Sequence, residues 1–218
     1  HLDLHSFPTR RSSDLISLDV STIEPEALNG ILQSISDIAG QYLPDIFRYW
    51  RDEISQKNGT NNISFGNFVD WFTEINLRDN ERNRFPMKFA RGDFGTAPLA
   101  PGTSSNILRN LNLARSYFDD PNAYKLNGMD ILQRGMMSVI DLEDEKSKNF
   151  GSILLRHLLH QIVELKSSNM SNVPVLIVID EVHQFYNTDS SKEALGDLDT
   201  ICRQGRSQEI GVIFSSQN

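Results

Sequence analysis

Apolar residues recur at helical spacing through most of the first 165 positions of the chain. Stripes at i, i+3 and i+4 positions predict helices over residues 25–38, 43–54, 65–77, 104–118 and 150–165. By contrast, residues 16–20 alternate weakly between apolar and polar, which predicts a short edge strand. The pattern therefore favours a mainly helical region that packs on itself in the first part of the chain.

Aromatic residues are concentrated in the helix predicted at 65–77. Phe65, Phe68, Trp71 and Phe72 recur at helical spacing there, which is more typical of a packed core than of a platform for nucleic-acid bases. The following residues, 79–103, are rich in arginine, glycine and proline. That composition predicts a solvated basic linker, with a flexible loop that contacts phosphates as the alternative.

Beyond residue 126 the pattern changes to alternating strands and helices. Strands are predicted at 135–142, 175–179 and 210–214, and a helix at 191–203 follows the one at 150–165. Alternation of this kind is typical of an α/β fold, in which helical crossovers of right-handed sense join parallel strands.

The strand at 175–179 is followed by two adjacent acids. Its five residues are all apolar and four of them are β-branched, which predicts a strand buried on both faces of a parallel sheet. Asp180 and Glu181 come next, and ligands of open α/β sheets bind beyond the carboxyl ends of the strands. Asp180 is thus a candidate for holding Mg²⁺, and Glu181 for orienting or deprotonating a water. The alternative is a strand that ends in a solvated acidic turn.

Polar groups also surround the strand predicted at 210–214. Ser215, Ser216 and Gln217 follow it, and Arg203 and Arg206 precede it. A polar strand tip can hydrogen-bond a γ-phosphate or an attacking water. An arginine at a subunit edge can neutralise the charge that develops on a neighbour's γ-phosphate. Each feature by itself is a weak indicator of a nucleotide-hydrolysing site. The ordered set of acid pair, helix, arginines and polar strand tip is a more specific one.

Length and composition limit the possible classes of protein. The chain has 218 residues, a hydrophobic content of 39% and a formal net charge of −8. These values indicate a soluble globular protein and argue against a surface that coats nucleic acid broadly. The single cysteine, Cys202, excludes an internal disulfide and fits a reducing, cytoplasmic compartment. No apolar run approaches the roughly 20 residues that a membrane-spanning helix needs.

Residues 1–15 differ in composition from the rest of the chain and show no period. They lack both the apolar core of a signal peptide and the amphipathic pattern of a transit peptide. They resemble the translation of a sequencing-adapter oligonucleotide, so we expect them to be non-native and the gene to continue upstream. The end of the chain directly after a predicted strand suggests truncation there as well.

Two segments carry a resemblance to a known family. They are VLIVIDEVHQF at 175–185 and CRQGRSQEIGVIFSSQ at 202–217. Together they resemble the HerA branch of the HerA/FtsK motor ATPases, and the similarity extends over residues 131–218. The strand predicted at 137–142, with its following helix, also looks like the element that precedes the Walker B strand in that family. A weaker similarity, a helical insertion between core strands, covers residues 16–130.

The resemblance implies a RecA-like parallel sheet core of the P-loop NTPase type. Residues 131–218 would be its carboxyl-terminal half, and residues 16–130 an edge strand, a helical insertion and a basic linker. The family hydrolyses ATP with Mg²⁺, forms homo-hexameric rings, translocates double-stranded DNA and works with a nuclease partner. By this resemblance the site residues are Asp180 as the magnesium acid, Glu181 as the catalytic glutamate, Arg206 or Arg203 as the trans-acting finger, Ser216 at the phosphates and Gln217 as the sensor.

One element of the family pattern is missing. No Gly-x-x-x-x-Gly-Lys-Ser/Thr loop occurs in the 218 residues, and this loop supplies the backbone amides and the lysine that hold the triphosphate. We therefore expect these residues alone to bind ATP poorly and to hydrolyse none.

Three other interpretations stay open. A non-catalytic scaffold related to the P-loop proteins would need no phosphate loop. A conjugation or secretion ATPase of the same superfamily would share the chemistry and move another polymer. A DEAH-type helicase is suggested by Asp180-Glu181-Val182-His183 and by Gln204-Gly205-Arg206, although the second motif precedes the last strand instead of closing a second domain.

Overall fold

The structure is a computed structural model, and its described part covers residues 16–32, 37–55, 63–77, 84–88, 92–125, 127–140, 147–182, 198, 201, 203 and 205–216. The chain forms two compact units. We call residues 17–121 the helical unit, and residues 122–218 with the first sixteen residues the sheet unit. Within the described ranges, no helix has the length and apolarity needed to cross a membrane.

Helices dominate the helical unit. Its elements are the end of β1 (Ile16–Ser17), a 3₁₀ helix (Pro25–Ile31), α1 (Asp37–Tyr49) continuing as a π-helical turn (Trp50–Ser55), α2 (Phe65–Leu77), β2 (Arg84–Lys88), β3 (Phe94–Pro98), and α3 (Pro101–Ala114) continuing as a 3₁₀ turn (Arg115–Tyr117). The helix predicted at 65–77 is confirmed at both ends. The helices predicted at 43–54 and 104–118 exist, and each begins earlier than expected.

The single helix predicted at 25–38 is wrong. A 3₁₀ helix ends at Ile31, Leu32 is extended, and α1 begins only at Asp37. Asn29 and Gly30 lie just before the break, and both residue types disfavour an α-helix because they have low helix propensity. The apolar stripe of the sequence therefore spans two elements.

The basic linker predicted over 79–103 is also wrong in part, because it contains a β-hairpin. Strands β2 and β3 pair antiparallel, with Arg84 opposite Pro98 and Lys88 opposite Phe94. The hairpin is anchored by Phe85, which is fully buried and stacks on Phe72 with ring centroids 4.6 Å apart. One buried aromatic residue thus fixes a segment whose remaining composition is that of a loop.

The core of the helical unit is aromatic, as the stripe in α2 predicts. Phe65, Phe68 and Phe72 are at most 1% exposed. Phe68 meets Phe47 edge to face at 5.1 Å, and Phe65 stacks on Phe118 at 4.1 Å. Such pairs add to the stabilisation that comes from burial alone. The core interpretation of this stripe is therefore confirmed for the three phenylalanines.

Asp119 connects three distant backbone segments of the helical unit. One of its carboxylate oxygens accepts the N–H of Phe65 at 2.6 Å, at the start of α2, and the other accepts the N–H of Val20 at 3.4 Å. Its own N–H donates to the carbonyl of Leu18 at 3.0 Å. Its φ of 54° lies in the left-handed region, which Asp and Asn tolerate better than other non-glycine residues.

We expect Asp119→Ala to lower the free energy of unfolding of the helical unit by about 2 kcal/mol, because it leaves the N–H of Phe65 without its acceptor and places a β-carbon residue without a polar side chain at positive φ. Asp119→Asn keeps one oxygen acceptor and the conformational tolerance, so it should lose less than about 1 kcal/mol. Both tryptophans of the chain, Trp50 and Trp71, lie in this unit, so urea unfolding followed by tryptophan fluorescence reports it. Equal midpoints for the two variants would contradict this role of the carboxylate.

The sheet unit contains a parallel pair of strands. It contains β4 (Tyr124–Lys125), α4 (Gly128–Ile131), α5 (Ser147–Ser167), β5 (Val175–Ile179) and β6 (Ile210–Phe214). Strands β5 and β6 run parallel, with Val175 opposite Ile210 and Ile179 opposite Phe214. The structure thus confirms an α/β arrangement with both strands at their predicted residues.

One face of the β5–β6 pair is covered by α5. The residues buried there are apolar and come from five segments: Leu132, Leu159, Ile162, Ile179, Leu198, Ile201 and Ile210. The helix predicted at 150–165 is confirmed and extends further at both ends. Of the helix predicted at 191–203, residues 198, 201 and 203 are helical and the others lie outside the described residues.

The other face of the pair is open in the part of the chain that the structure describes. Leu176 and Val178 of β5 are 64% and 61% exposed, and Ile213 of β6 is 49% exposed. The prediction of a strand buried on both faces is therefore wrong for these residues, because α5 packs against one side only. Sequence composition predicted the number of apolar faces of β5, but not what covers them.

The strand predicted at 135–142 is wrong over residues 136–140, which have no repetitive structure. Residues 141 and 142 lie outside the described part. The segment begins with a turn in place of a strand. Gly135 has a φ of 74°, and the N–H of Met136 donates to the carbonyl of Gln133 at 3.2 Å. Met137 and Val139 are exposed, so β-type composition was not sufficient to form a strand here.

Candidate functional site

The parallel register brings two polar strand ends to one edge of the sheet. Ile179 is the last residue of β5 and lies opposite Phe214, the last residue of β6. Asp180 and Glu181 therefore follow one strand where Ser215 and Ser216 follow the other. Asp180, Ser215 and Ser216 are exposed and Glu181 is half-buried. The structure thus brings together these four sequence-predicted polar residues.

Backbone hydrogen bonds join the two strand ends directly. The N–H of Ser215 donates to the carbonyl of Ile179 at 2.9 Å, and the carbonyl of Ser215 accepts the N–H of Val182 at 3.1 Å. Asp180 and Glu181 lie between these two bonds in the chain. The acid pair is therefore held at both of its ends by one residue, Ser215, which directly follows the neighbouring strand.

Glu181 has an unusual backbone conformation for its residue type. Its φ is 49°, in the left-handed region that costs an L-residue with a β-carbon about 1–2 kcal/mol. The N–H of Glu181 donates to the carboxylate of Asp180 at 3.0 Å. The chain thus turns sharply where β5 ends. Strain of this type is often found at functional sites.

The two candidate arginines lie at the other end of β6. Arg203 is in the preceding helix and Arg206 in the turn before the strand, and both are exposed. The turn is closed by Gly205, whose N–H donates to the carbonyl of Ile201 at 2.6 Å and whose carbonyl accepts the N–H of Ile210 at 2.8 Å. A five-residue strand spans roughly 15 Å. Within one chain, the structure does not bring these arginines together with the acid pair.

A metal at this edge would depend on Asp180. No group of three or more histidine, cysteine, aspartate or glutamate side chains suited to a metal ion occurs among the residues that the structure describes. Magnesium in nucleotide sites is commonly held by one or two carboxylates together with water and the phosphates. An exposed carboxylate at a strand end fits that requirement, and Asp180 is such a group. Gln217 and His183 lie outside the described residues.

Sequence reasoning missed one residue of this site. Val182 is the donor to Ser215 and also packs against the apolar cluster of the sheet unit. Its contribution comes from a backbone N–H, and candidate residues were selected from the sequence by the chemistry of their side chains. Nothing in the side chain of a valine after two acids indicates such a bond.

The geometry is thus an exposed carboxylate, a second carboxylate in a constrained turn, and two hydroxyls at one sheet edge. Such a set can bind a hydrated divalent cation and the phosphates attached to it. Comparison with known proteins adds no assignment: the chain matches no protein-family model and no curated protein.

Proposed function

We propose that this chain contributes the acidic half of an ATP hydrolysis site in a motor that translocates double-stranded DNA. The single observation that carries the proposal is the adjacency of Asp180–Glu181 and Ser215–Ser216 at the carboxyl ends of two parallel, hydrogen-bonded strands. Ligands of open α/β sheets bind at such ends. The resemblance of residues 131–218 to HerA-type ATPases supports ATP and DNA over other ligands, and a RecA-like core over other α/β folds.

Each residue has a distinct role in this proposal. Asp180 binds Mg²⁺, which neutralises charge on the phosphates, and Glu181 orients the attacking water and accepts its proton. Ser216 donates a hydrogen bond to a phosphate oxygen, and Gln217 senses the γ-phosphate. The exposure of Asp180 and Ser216 leaves both side chains accessible to a ligand.

The position of the arginines favours a site shared between copies of the chain. Arg203 and Arg206 lie at the end of β6 opposite to the acids. An arginine finger from this surface therefore acts on the site of a neighbouring copy, where it neutralises charge that develops on the γ-phosphate. This arrangement fits a homo-hexameric ring with Arg206 as the finger and Arg203 as the alternative. A nuclease partner and a cytoplasmic location complete the proposal.

A second candidate is a non-catalytic scaffold. It is favoured by one observation, the absence of a Gly-x-x-x-x-Gly-Lys-Ser/Thr loop from the 218 residues. The acid pair then marks an ancestral site. The two candidates differ in what the complete gene product does, because the scaffold binds no metal–nucleotide complex at this edge and shows no ATP turnover.

The test is the binding of Mn²⁺·ATP to the complete gene product, measured by the electron paramagnetic resonance signal of Mn²⁺. Asp180→Asn removes the charge of the metal ligand, so we expect the affinity to fall at least tenfold, or about 1.4 kcal/mol. Asp93→Asn is the matched control, because Asp93 is an exposed acid of the helical unit, and its affinity should stay within twofold of wild type. Unchanged affinity in Asp180→Asn would exclude the proposed site, and no binding by wild type would favour the scaffold.

A further inference from the structure

The turn that carries Glu181 is fixed at both ends by Ser215, and within the turn the N–H of Glu181 donates to the carboxylate of Asp180. Two backbone bonds to Ser215, from Val182 and to Ile179, enclose the Asp180–Glu181 pair. Val182 is also anchored through its half-buried side chain in the apolar cluster under the sheet. Ile179 and Val182, the residues on either side of the acid pair, are thus both fixed. Asp180 and Glu181 connect them, and Glu181 does so in the left-handed conformation, with a φ of 49°.

That conformation is one that a glutamate does not choose freely. Without the bond between Val182 and Ser215, a residue with a β-carbon at position 181 relaxes toward the right-handed or extended regions. Such a change in φ moves the side chain of Glu181 to a different side of the turn. The bond from Val182 to Ser215 therefore contributes to the placement of the Glu181 side chain, together with the bond from the N–H of Glu181 to Asp180.

We propose that Val182 is a positioning residue for hydrolysis at this edge, and that its backbone N–H, held by the carbonyl of Ser215, keeps Glu181 in the left-handed conformation. This inference rests on the proposed function, because it assigns the geometry of the glutamate that activates water. It also implies that a displacement of the Ser215–Ser216 tip by a bound phosphate reaches Glu181 through one hydrogen bond. The backbone of Asp180 depends less on this bond, since Asp180 directly follows β5.

The test is Val182→Pro in the complete gene product, assayed for ATP turnover. Proline has no N–H and disfavours helical backbone conformations at the preceding residue, here Glu181. We expect kcat to fall at least 30-fold, while KM for Mg²⁺·ATP stays within threefold because Asp180 remains attached to the end of β5. Val182→Ala retains the N–H and shortens the side chain, so as the conservative variant it should recover most of the lost kcat.

A second variant removes only the hydrogen bond, in case the proline disturbs folding. Replacing the Val182 amide by an ester, with the same side chain, deletes the N–H donor and should also lower kcat with KM retained. Unchanged kcat in the ester variant, or a loss confined to KM, would overturn the role of Val182. Failure of the proposed function is distinguished by Glu181→Gln: if that variant retains turnover, Glu181 is not the water-activating residue, whatever the three Val182 variants do.

Discussion

Gly205→Ala is expected to lower the free energy of unfolding of the sheet unit by about 3 kcal/mol. A β-carbon at position 205 would lie 2.8 Å from the carbonyl oxygen of Ile210 and closer still to that of Ile201. Both atoms are backbone, and the carbonyl of Ile201 accepts the N–H of Gly205 in the turn before β6. Relief of the clash therefore requires a shift of the backbone and is not achieved by rotating a side chain.

The measurement is urea unfolding followed by far-ultraviolet circular dichroism, with hydrogen exchange of the β5 and β6 amides as the local readout. Gly102→Ala is the control, because nothing lies within 4 Å of its β-carbon position at the start of α3. That variant should be neutral or more stable by up to about 1 kcal/mol, since alanine lowers the entropy of the unfolded chain. If Gly205→Ala unfolded at the wild-type midpoint, the close packing of this turn would be wrong.

The elements that were predicted correctly have a simple apolar pattern, which is either a stripe at helical spacing or a short continuous run. Helix α2 has a stripe of three buried phenylalanines, and β5 and β6 are short apolar runs bounded by polar residues. The β2–β3 hairpin was missed because one buried residue, Phe85, anchors a segment of charged and turn-forming residues. The average composition of such a segment does not reveal that one of its residues is buried and holds the segment in place.

For the site, the sequence predicted which residues lie close together but not the backbone conformation that holds them. Parallel pairing of two strands requires their carboxyl ends to share an edge, so the proximity of Asp180–Glu181 to Ser215–Ser216 followed from the alternation of strands and helices. The left-handed conformation of Glu181 and the Val182 donor did not follow. Both depend on how two backbones meet in space, and no side-chain pattern encodes that.

Glu181→Gln is expected to lower ATP turnover of the complete gene product at least 1,000-fold, while Mg²⁺·ATP binding stays within threefold. The amide keeps the size of the side chain and removes the base that accepts the proton of water, and proton transfer by a positioned side chain contributes roughly 10²–10⁴-fold to a reaction. The measurements are steady-state hydrolysis and nucleotide binding on the same preparation. Turnover near the wild-type rate would remove Glu181 from the mechanism.

A glycine at the same position separates the function of Glu181 from its strain. Glu181→Gly should lose turnover as Glu181→Gln does, yet it should raise the free energy of unfolding by about 1 kcal/mol, because glycine adopts positive φ without a steric penalty. The chain contains a matched control in Glu209, which has a φ of 57° and precedes β6 at the other end of the strand pair. Glu209→Gly should gain similar stability and retain turnover.

Comparison of the two glycine variants shows whether the strained backbone of Glu181 is linked to catalysis or is only a feature of the turn. Both glutamates have left-handed backbones next to a strand of the same pair, and the carbonyl of Glu209 accepts the N–H of Val175 at 2.9 Å much as the turn at Glu181 is bonded to β6. Gain of stability at both positions with loss of turnover only at 181 means that a strained glutamate is maintained there for its chemistry. If both variants retain wild-type turnover, the two turns differ only in location. The acid pair then ends a strand without catalysing a reaction.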